Sequence, residues 1–241
     1  MAPWARVGGG EMKKRWVASL FVGCVLIVVQ AFATVVINFE SYGPGTSLGT
    51  VTTPDGNQVT FGVGLAAPTY PAYVAGVGAP LEAFQPDDTP DLPGLIGNRF
   101  LTDELDGPVW DYDYFITFQI PVVYLGLHIL DYRRDGDWPD APGPGSSAHL
   151  IGYADSSFTT PIAITSFTLT AFNPPDGNVQ WLEITNPPAP IYAARITFEG
   201  NDPGTGIDNV TFVSLPEPTT LGLVGVGLLG LALRRRRWSG L

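Results

Sequence analysis

Glycine and proline recur so often in this chain that no long helix fits between them. The 241 residues include 29 Gly and 23 Pro, the two residue types that helix interiors tolerate least. They divide the sequence into short pieces, and short pieces joined by turn residues favour strands. No stretch between the two ends of the chain shows a sustained helical period. The sequence therefore predicts an all-β fold.

Nine apolar or alternating runs stand between these turn signals and are predicted as strands. They occupy residues 35–40, 58–63, 113–120, 122–130, 147–153, 162–172, 179–184, 194–199 and 207–213. Gly, Pro, Asn or Asp separates the runs, a spacing typical of antiparallel sheets rather than of strands alternating with helices. A domain of about 180 residues with roughly nine to eleven strands predicts a jelly-roll-like antiparallel β-sandwich.

Charge is distributed unevenly along the chain. Of the 23 acidic residues, 21 lie between Thr34 and Leu215, a region with four Arg and no Lys. The composition argues against nucleic acid as a partner, because neutralising phosphates requires clustered cations. The other basic residues flank two apolar segments near the chain ends, which indicates membrane topology.

The N-terminal segment has the three parts of an export signal. A cationic cluster at residues 13–15 precedes an apolar run at residues 16–29, and the small residues Ala31 and Ala33 follow. We predict a signal-peptide helix within residues 1–33, passage through the Sec translocon, and cleavage by signal peptidase after Ala33. Thr34 then becomes the first residue of the mature protein.

The same segment leaves three further points open. Met12 directly precedes the cationic cluster and is a better translation start than Met1. If the segment stays uncleaved it anchors the chain, although about 14 apolar residues are short for a span of roughly 20. Cys24, the single cysteine, lies in a sequence that faintly resembles a lipoprotein attachment box, but apolar residues 25–29 follow it. We expect Cys24 to leave with the signal peptide, so that the mature protein contains no cysteine.

The C-terminal residues 215–241 combine an extended motif, an apolar stretch and a cationic stop. Pro216 and Pro218 keep the chain extended around Glu217. Residues 219–233 carry no charge and predict a transmembrane helix of about 22 Å, short of the roughly 30 Å hydrocarbon core. Four arginines follow and are expected to stay cytoplasmic: Arg234, Arg235, Arg236 and Arg237. The domain at residues 34–214 is therefore predicted to lie outside the cell membrane.

This three-part arrangement resembles the PEP-CTERM sorting signal of exopolysaccharide-producing Gram-negative bacteria. The resemblance implies that an exosortase, an integral membrane enzyme, recognises Pro216, Glu217 and Pro218 and removes the hydrophobic tail. It also implies a membrane-anchored intermediate and then a mature protein at the cell surface or in the extracellular matrix. A permanent tail anchor without processing is the alternative.

The first and last predicted strands resemble those of extracellular carbohydrate-binding and lectin-like jelly rolls. The opening run ends in Glu40, and the closing run at residues 206–212 contains Asp208. The resemblance implies that these strands pair and that Glu40 and Asp208, with backbone carbonyls, hold a structural Ca²⁺. A hard cation with oxygen ligands also suits an acidic domain. In the alternative, both carboxylates cap strands and face water.

Two other acidic groups are less informative. Five acids fall within residues 103–113 and predict a solvated loop, with a cation site as the alternative. Four aspartates at residues 131–140 approach the spacing of an EF-hand loop. Arg133 and Pro142 stand at the third and twelfth positions of that loop, which excludes an EF-hand because ligands are required there.

The sequence gives little support for catalysis. His128 lies within an apolar run and is predicted to be a core or strand-face histidine. His149 follows two serines in a Gly/Pro-rich segment predicted as a loop, and no nucleophile-elbow sequence lies near it. A glycosidase needs only two opposed carboxylates, so a surface glycan-active hydrolase remains the alternative function.

Aromatic side chains are the candidate ligand-binding groups, because their faces stack on sugar rings. Six were considered: Trp110, Tyr112, Tyr114, Trp138, Tyr153 and Trp181. Most aromatic residues of a small sandwich are buried, so two or three are expected to be exposed. Trp138, in a loop-like segment, and Trp110 are predicted as ligand-binding residues.

These inferences predict an exported, non-catalytic protein that associates with exopolysaccharide through a β-sandwich. Exosortase, the Sec translocon, signal peptidase and, before processing, the membrane are its other expected partners. Two alternatives remain besides the hydrolase. One is a calcium-stabilised domain with an unknown ligand, and the other is a cargo domain defined only by its sorting signal.

Overall fold

A computed structural model of the chain describes residues 33–76, 93–102, 113–130, 132, 145–169, 178–199, 205–215 and 227. The chain divides into two compact units, Met1–Phe32 and Ala33–Leu241, and all described residues belong to the second. The predicted signal-peptide helix, Trp110, Trp138, the Pro-Glu-Pro motif and the arginine cluster lie outside the described residues. In the described part of the chain, no helix has both the length and the apolar content needed to cross a bilayer.

The described residues form twelve strands and one short helix. In chain order these are β1 (Thr34–Ile37), β2 (Ser47–Leu48), β3 (Thr50–Thr52), β4 (Gln58–Gly64), β5 (Ala72–Gly76), α1 (Pro93–Ile96), β6 (Arg99–Thr102), β7 (Asp113–Leu130), β8 (Ser147–Tyr153), β9 (Pro161–Thr168), β10 (Val179–Thr185), β11 (Ile191–Phe198) and β12 (Gly206–Ser214). Every strand pairing is antiparallel. The all-β prediction is confirmed.

Strand β7 organises the sheet. Its first half pairs with β4 and β11, and its second half pairs with β10 and β12. Strands β8 and β9 extend the sheet beyond β11, whereas β6, β5 and β2 extend it beyond β12. The two halves face each other across one core, where Phe118 of β7 packs against Phe212 of β12 with ring centroids 5.3 Å apart. This is a sandwich whose two layers share a strand.

The prediction of separate strands at residues 113–120 and 122–130 is wrong. Pro121, between them, lacks an amide hydrogen, yet one strand runs through it for 18 residues. The register of β11 shifts between Ile191 and Ala193, and that of β12 shifts between Val213 and Ser214. Both irregularities lie opposite this part of β7, so Pro121 occupies a bend where regular pairing is already interrupted.

Four strands were missed because their sequences are too short to show alternation: β2, β3, β5 and β6. They have between two and five residues each. Each is a strand only because a neighbour supplies its hydrogen bonds. The first and last strands pair as the resemblance implied, with Val35 opposite Phe212.

Candidate functional site

An exposed tryptophan lies on the outer face of the second half of β7. Trp181 of β10 is 39% exposed and stands opposite His128 of β7 in the strand register. The rings of His128 and Trp181 have centroids 4.6 Å apart. Gly126, two residues before His128, lies beneath the indole, and a Cβ at this position would overlap the ring. Trp181 therefore lies against the sheet because Gly126 has no side chain.

A phenol and a carboxylate border the indole. Tyr124 Oη donates a hydrogen bond of 2.8 Å to Glu183 Oε2, and Glu183 stands opposite Gly126 in the register. Burial raises the pKa of Tyr124 to about 12, and the hydrogen bond and charge of Glu183 contribute to that rise. We call Tyr124, Gly126, His128, Trp181 and Glu183 the tryptophan platform.

The platform is polar at its edges and neutral on its histidine near pH 7. Burial lowers the pKa of His128 below its ordinary value of 6.5, so the imidazole carries no charge there at neutral pH. Asn209 Nδ2 lies 3.5 Å from His128 Nδ1, which leaves Nε2 as the protonated nitrogen. The exposed indole of Trp181 therefore has hydrogen-bonding groups beside it, namely the Tyr124 hydroxyl and the Glu183 carboxylate.

The predicted calcium ligands lie close enough to interact. Asp208 has no exposed surface, and neither of its carboxylate oxygens accepts a hydrogen bond from the described residues. Burial raises the pKa of Asp208 to about 8; the charge of Glu40 adds to the rise, and the nearby amide of Asn209 opposes it. A buried carboxylate without partners is costly unless it is protonated or bound to a cation.

Glu40 is held from the opposite side by a turn that follows α1. Its Oε1 accepts hydrogen bonds from the amides of Asn98, at 2.6 Å, and Arg99, at 2.8 Å. Gly97 has φ of 62°, and a Cβ at this position would overlap the Glu40 carboxylate. Both the left-handed backbone and the close approach therefore require glycine at residue 97.

The oxygen-only chemistry of this pair fits a hard cation. The described residues contain no group of three or more His, Cys, Asp or Glu side chains placed to hold a metal ion. The remaining ligands of a Ca²⁺ at Asp208 would thus have to be backbone carbonyls, amide side chains or water. The two unpartnered oxygens of Asp208 are the observation that favours this interpretation over two carboxylates facing water.

His149 lies in β8, so the predicted strand at residues 147–153 is confirmed, whereas the placement of His149 in a Gly/Pro-rich loop is wrong. The Gly/Pro-rich segment ends before it, and the cross-strand neighbours of His149 are Ser166 of β9 and Thr197 of β11. Its Nδ1 is hydrogen-bonded to Ser166 Oγ at 2.7 Å, and its Nε2 lies 3.3 Å from Glu199 Oε1. Glu199 Oε2 also accepts a 2.9 Å hydrogen bond from the amide of Ser147. These contacts align a hydroxyl, an imidazole and a carboxylate on the outer face of the sheet.

The other predicted residues have structural roles where they are described. Tyr114 and Tyr153 are buried in the core. Asp113 accepts a 2.7 Å hydrogen bond from Arg195 Nε, so it pairs with an arginine rather than facing water. Sequence reasoning missed Tyr124, Gly126 and Glu183. The alternation of β7 and β10 places Tyr124 with His128, and Trp181 with Glu183, on single faces, but only strand pairing brings those two faces together.

Comparisons with solved structures return β-rich chains of low sequence identity. A DUF4465 family protein from Bacteroides caccae has a TM-score of 0.47 and 11% identity, covering 76% of this chain and 100% of its own. The cleaved adhesin domain of Lys-gingipain from Porphyromonas gingivalis has a TM-score of 0.35 and 15% identity, covering 76% of this chain and 99% of its own. The family 11 carbohydrate-binding module from Clostridium thermocellum, solved with a mixed-linked tetrasaccharide, has a TM-score of 0.29 and 11% identity, covering 78% of this chain and 99% of its own.

No curated protein sequence matches the chain significantly. One protein family does, and its match begins at the last residue of β12 and includes the Pro-Glu-Pro triplet, the apolar stretch and all four arginines. This chain carries a PEP-CTERM protein-sorting motif at residues 214–237.

Proposed function

We propose that this protein is displayed outside the cell after processing by exosortase and binds exopolysaccharide there, without cleaving it, through the tryptophan platform. The sorting motif implies export, a membrane-anchored intermediate and exosortase as the processing partner. A Gram-negative host and residence in the polysaccharide matrix follow from the association of exosortases with polysaccharide production. The single observation that carries the binding function is the exposed Trp181 ring over Gly126.

The geometry of the platform favours a pyranose ring as the ligand. Trp181 is 39% exposed, and the C–H groups of a sugar ring pack well against an exposed indole. Glu183 and the Tyr124 hydroxyl lie beside the ring and can hydrogen-bond sugar hydroxyls.

Binding is tested by retention of the mature protein on the exopolysaccharide of its host. Trp181→Ala should weaken the apparent Kd by about tenfold or more, since an aromatic anchor contributes about 1.4 kcal/mol or more. Tyr192→Ala is the matched control, because Tyr192 is 40% exposed on another strand and should leave retention unchanged. Equal retention of the wild type and the Trp181 variant would reject the platform as the binding site.

We also propose that Asp208 and Glu40 hold a structural Ca²⁺. The cation would satisfy the two unpartnered oxygens of Asp208 and offset the repulsion between the carboxylates. It would connect the end of β1 to β12 and stabilise the sandwich. No catalytic step is assigned to it.

Calcium is tested by thermal melting of the mature protein with Ca²⁺, with Mg²⁺ and with a chelator. Ca²⁺ should raise Tm, and Mg²⁺ should raise it less because it requires a tighter octahedral shell. Asp208→Ala should abolish the response, whereas Glu183→Gln, which alters an exposed carboxylate away from the pair, should keep it. Identical melting curves in Ca²⁺ and chelator would refute the site.

The alternative of a hydrolase is favoured by one observation, the alignment of Ser166, His149 and Glu199. Residues of these types at hydrogen-bond distances form nucleophile, base and acid in serine hydrolases. Such an array cleaves esters rather than glycosidic bonds, so its substrate would be an acyl group on the polysaccharide. Release of acetate from the host polysaccharide, lost in Ser166→Ala and kept in Ser157→Ala, would establish this activity. No release from the wild type would reject it.

A further inference from the structure

Both ends of the sandwich leave the domain at the same place. Thr34, the predicted first mature residue, pairs with Val213 near the end of β12. Val213 and Ser214 in turn pair with Tyr124 and Val122, just after the bend of β7. The sites of signal-peptide removal and of sorting are therefore joined to adjacent strands at one end of the domain.

The folded structure continues up to the residue that precedes the sorting triplet. The amide of Leu215 donates a 2.8 Å hydrogen bond to the carbonyl of Pro121. Asn57, which has no exposed surface, donates from Nδ2 to the carbonyl of Ile120 at 2.7 Å and to Ser214 Oγ at 2.9 Å. Its Oδ1 accepts from the amide of Ile120 at 2.9 Å. We call these five residues the terminal latch: Asn57, Ile120, Pro121, Ser214 and Leu215.

Strand β12 is not easily pulled away to make a linker. It pairs with β1, β6 and β7. Its side chains at Ile207, Val210 and Phe212 have no exposed surface. Burial of side chains of this size stabilises the fold through the hydrophobic effect, so extraction of the strand would unfold the sandwich.

The chain between the latch and the apolar stretch is short. Five residues, 216–220, separate Leu215 from Leu221, and at about 3.3 Å per extended residue they reach roughly 17 Å. An enzyme that binds the triplet at Pro216, Glu217 and Pro218 must therefore also contact the folded end of the sandwich. That end also includes the β3–β4 turn at residues 53–57 and the β10–β11 loop at residues 186–190, and Asp55 is the one charged residue in these two segments.

We propose that this end of the sandwich is a docking surface for exosortase, so that the enzyme recognises a folded platform together with the sorting triplet. The proposal rests on processing by exosortase, as argued above. The docking surface consists of residues 53–57, the β7 bend at residues 119–122 and the loop at residues 186–190. The terminal latch fixes Leu215, the residue before the triplet, beside this surface.

Contact is tested by crosslinking the full chain to exosortase in the host. Single cysteines are introduced as Gln119→Cys and Pro188→Cys, both at exposed positions of the docking surface, in a Cys24→Ala background with a catalytically inactive exosortase. Leu65→Cys, 65% exposed beyond the opposite end of β4, is the matched control. A photoactivatable thiol reagent should crosslink residues 119 and 188 to exosortase, and residue 65 much less.

A further variant, Thr219→Cys next to the triplet, distinguishes failure of the docking surface from failure of exosortase processing. Crosslinks from residue 219 without crosslinks from 119 and 188, or equal crosslinking from residue 65, would overturn the docking surface alone. No crosslink from residue 219, with processing unchanged after deletion of residues 216–218, would overturn exosortase processing itself.

A second experiment measures the rate at which the precursor is processed, instead of crosslinking to exosortase. Ten Gly/Ser residues inserted between Leu215 and Pro216 add a flexible tether of roughly 18 Å root-mean-square length and separate the triplet from the docking surface. Conversion of precursor to mature protein should slow several-fold, whereas the same insertion after Leu65 should leave the rate unchanged. Conversion at the wild-type rate or faster with the first insertion would contradict the proposal.

Discussion

Two kinds of residue have specific roles in this sandwich. Some are glycines that allow another side chain to approach the backbone, and others are polar residues whose side chains hydrogen-bond backbone groups. Gly126 allows an indole to lie on the sheet, and Gly97 allows the Glu40 carboxylate to approach the backbone. The Asp155 carboxylate accepts a hydrogen bond from the amide of Thr159 in the β8–β9 turn. The Asn57 side chain hydrogen-bonds both the carbonyl and the amide of Ile120 in β7. Each role depends on the identity of one residue, so each can be tested by a single substitution.

Gly126→Ala should displace Trp181. The added Cβ overlaps the indole, and overpacking of this kind typically costs about 1–3 kcal/mol of stability. Tryptophan fluorescence should shift as the ring moves into solvent, and retention on exopolysaccharide should fall with it. Gly49→Ala, where a Cβ meets no atom within 4 Å, should change neither reading; an unshifted spectrum for the Gly126 variant would contradict the platform geometry.

The Asp155 turn should lose its stabilising effect in acid. Hydrogen bonds from Ser157, Thr159 and Thr160 hold the pKa of this carboxyl well below its ordinary value of 3.8. A group whose pKa is lowered by folding contributes stability above its ordinary pKa, and that contribution disappears as the pH falls toward the lowered value. The Tm difference between the wild type and Asp155→Asn should therefore be largest above pH 5 and shrink between pH 4 and pH 2. A difference that is constant with pH would show that the carboxylate charge is not responsible.

At the scale of elements, β7 determines how the sandwich is built. One strand supplies hydrogen bonds to both layers, and its bend at Pro121 lies where β11 and β12 change register. The side chain of Asn57 replaces the strand partner that Ile120 would otherwise have at this bend. A strand that changes layer needs such a substitute, since unsatisfied buried backbone groups are costly.

Asn57→Ala should destabilise the fold by about 2–6 kcal/mol, because it leaves the amide and carbonyl of Ile120 without these partners, at about 1–3 kcal/mol for each. Chemical denaturation of the mature protein measures the loss. Thr50→Ala removes an exposed hydrogen bond to Thr60 across the β3–β4 hairpin. It should lower the free energy of unfolding by less than about 0.5 kcal/mol. Similar losses for both variants would argue against a special role for the bend.

At the scale of the whole molecule, the last strand completes the sandwich. Strand β12 lies between β7 on one side and β1 and β6 on the other. It is also the part of the domain nearest to the sorting motif in sequence. Export from N-terminus to C-terminus therefore delivers this strand last, directly before the apolar stretch.

Two truncations test this arrangement. A chain that ends at Leu215 keeps every strand and should melt within about 2 °C of the full-length mature protein. A chain that ends at Asn209 loses the pairing of β1 and the buried residues Val210 and Phe212, and should show no cooperative melting. Cooperative melting of the shorter chain near the wild-type Tm would show that β12 is dispensable.

Features that depend on neighbouring residues could be predicted from the sequence. Alternation predicted the longer strands, because successive side chains of a strand point to opposite faces. The apolar stretches with cations on one flank predicted the export and sorting segments, and the sorting motif was confirmed. The resemblance of the chain ends implied that the first and last strands pair, and β1 does pair with β12; the calcium site at Glu40 and Asp208 stays a prediction.

Which strands become neighbours, in contrast, is visible in the folded chain and not in the sequence pattern. Trp181 was one of six candidate aromatic residues, and the sequence favoured Trp138 and Trp110 over it; the pairing of β10 with β7 is what places Trp181 over Gly126, some 55 positions earlier. His149, predicted in a loop, joined Ser166 and Glu199 through the same kind of pairing. The continuity of β7 through Pro121 depended on Asn57, more than 60 residues away. The local sequence determines to which face of a strand a side chain points. The residues that it contacts there depend on hydrogen bonds to strands that are distant in the sequence. Those pairings cannot be read from the residue's neighbours in the chain.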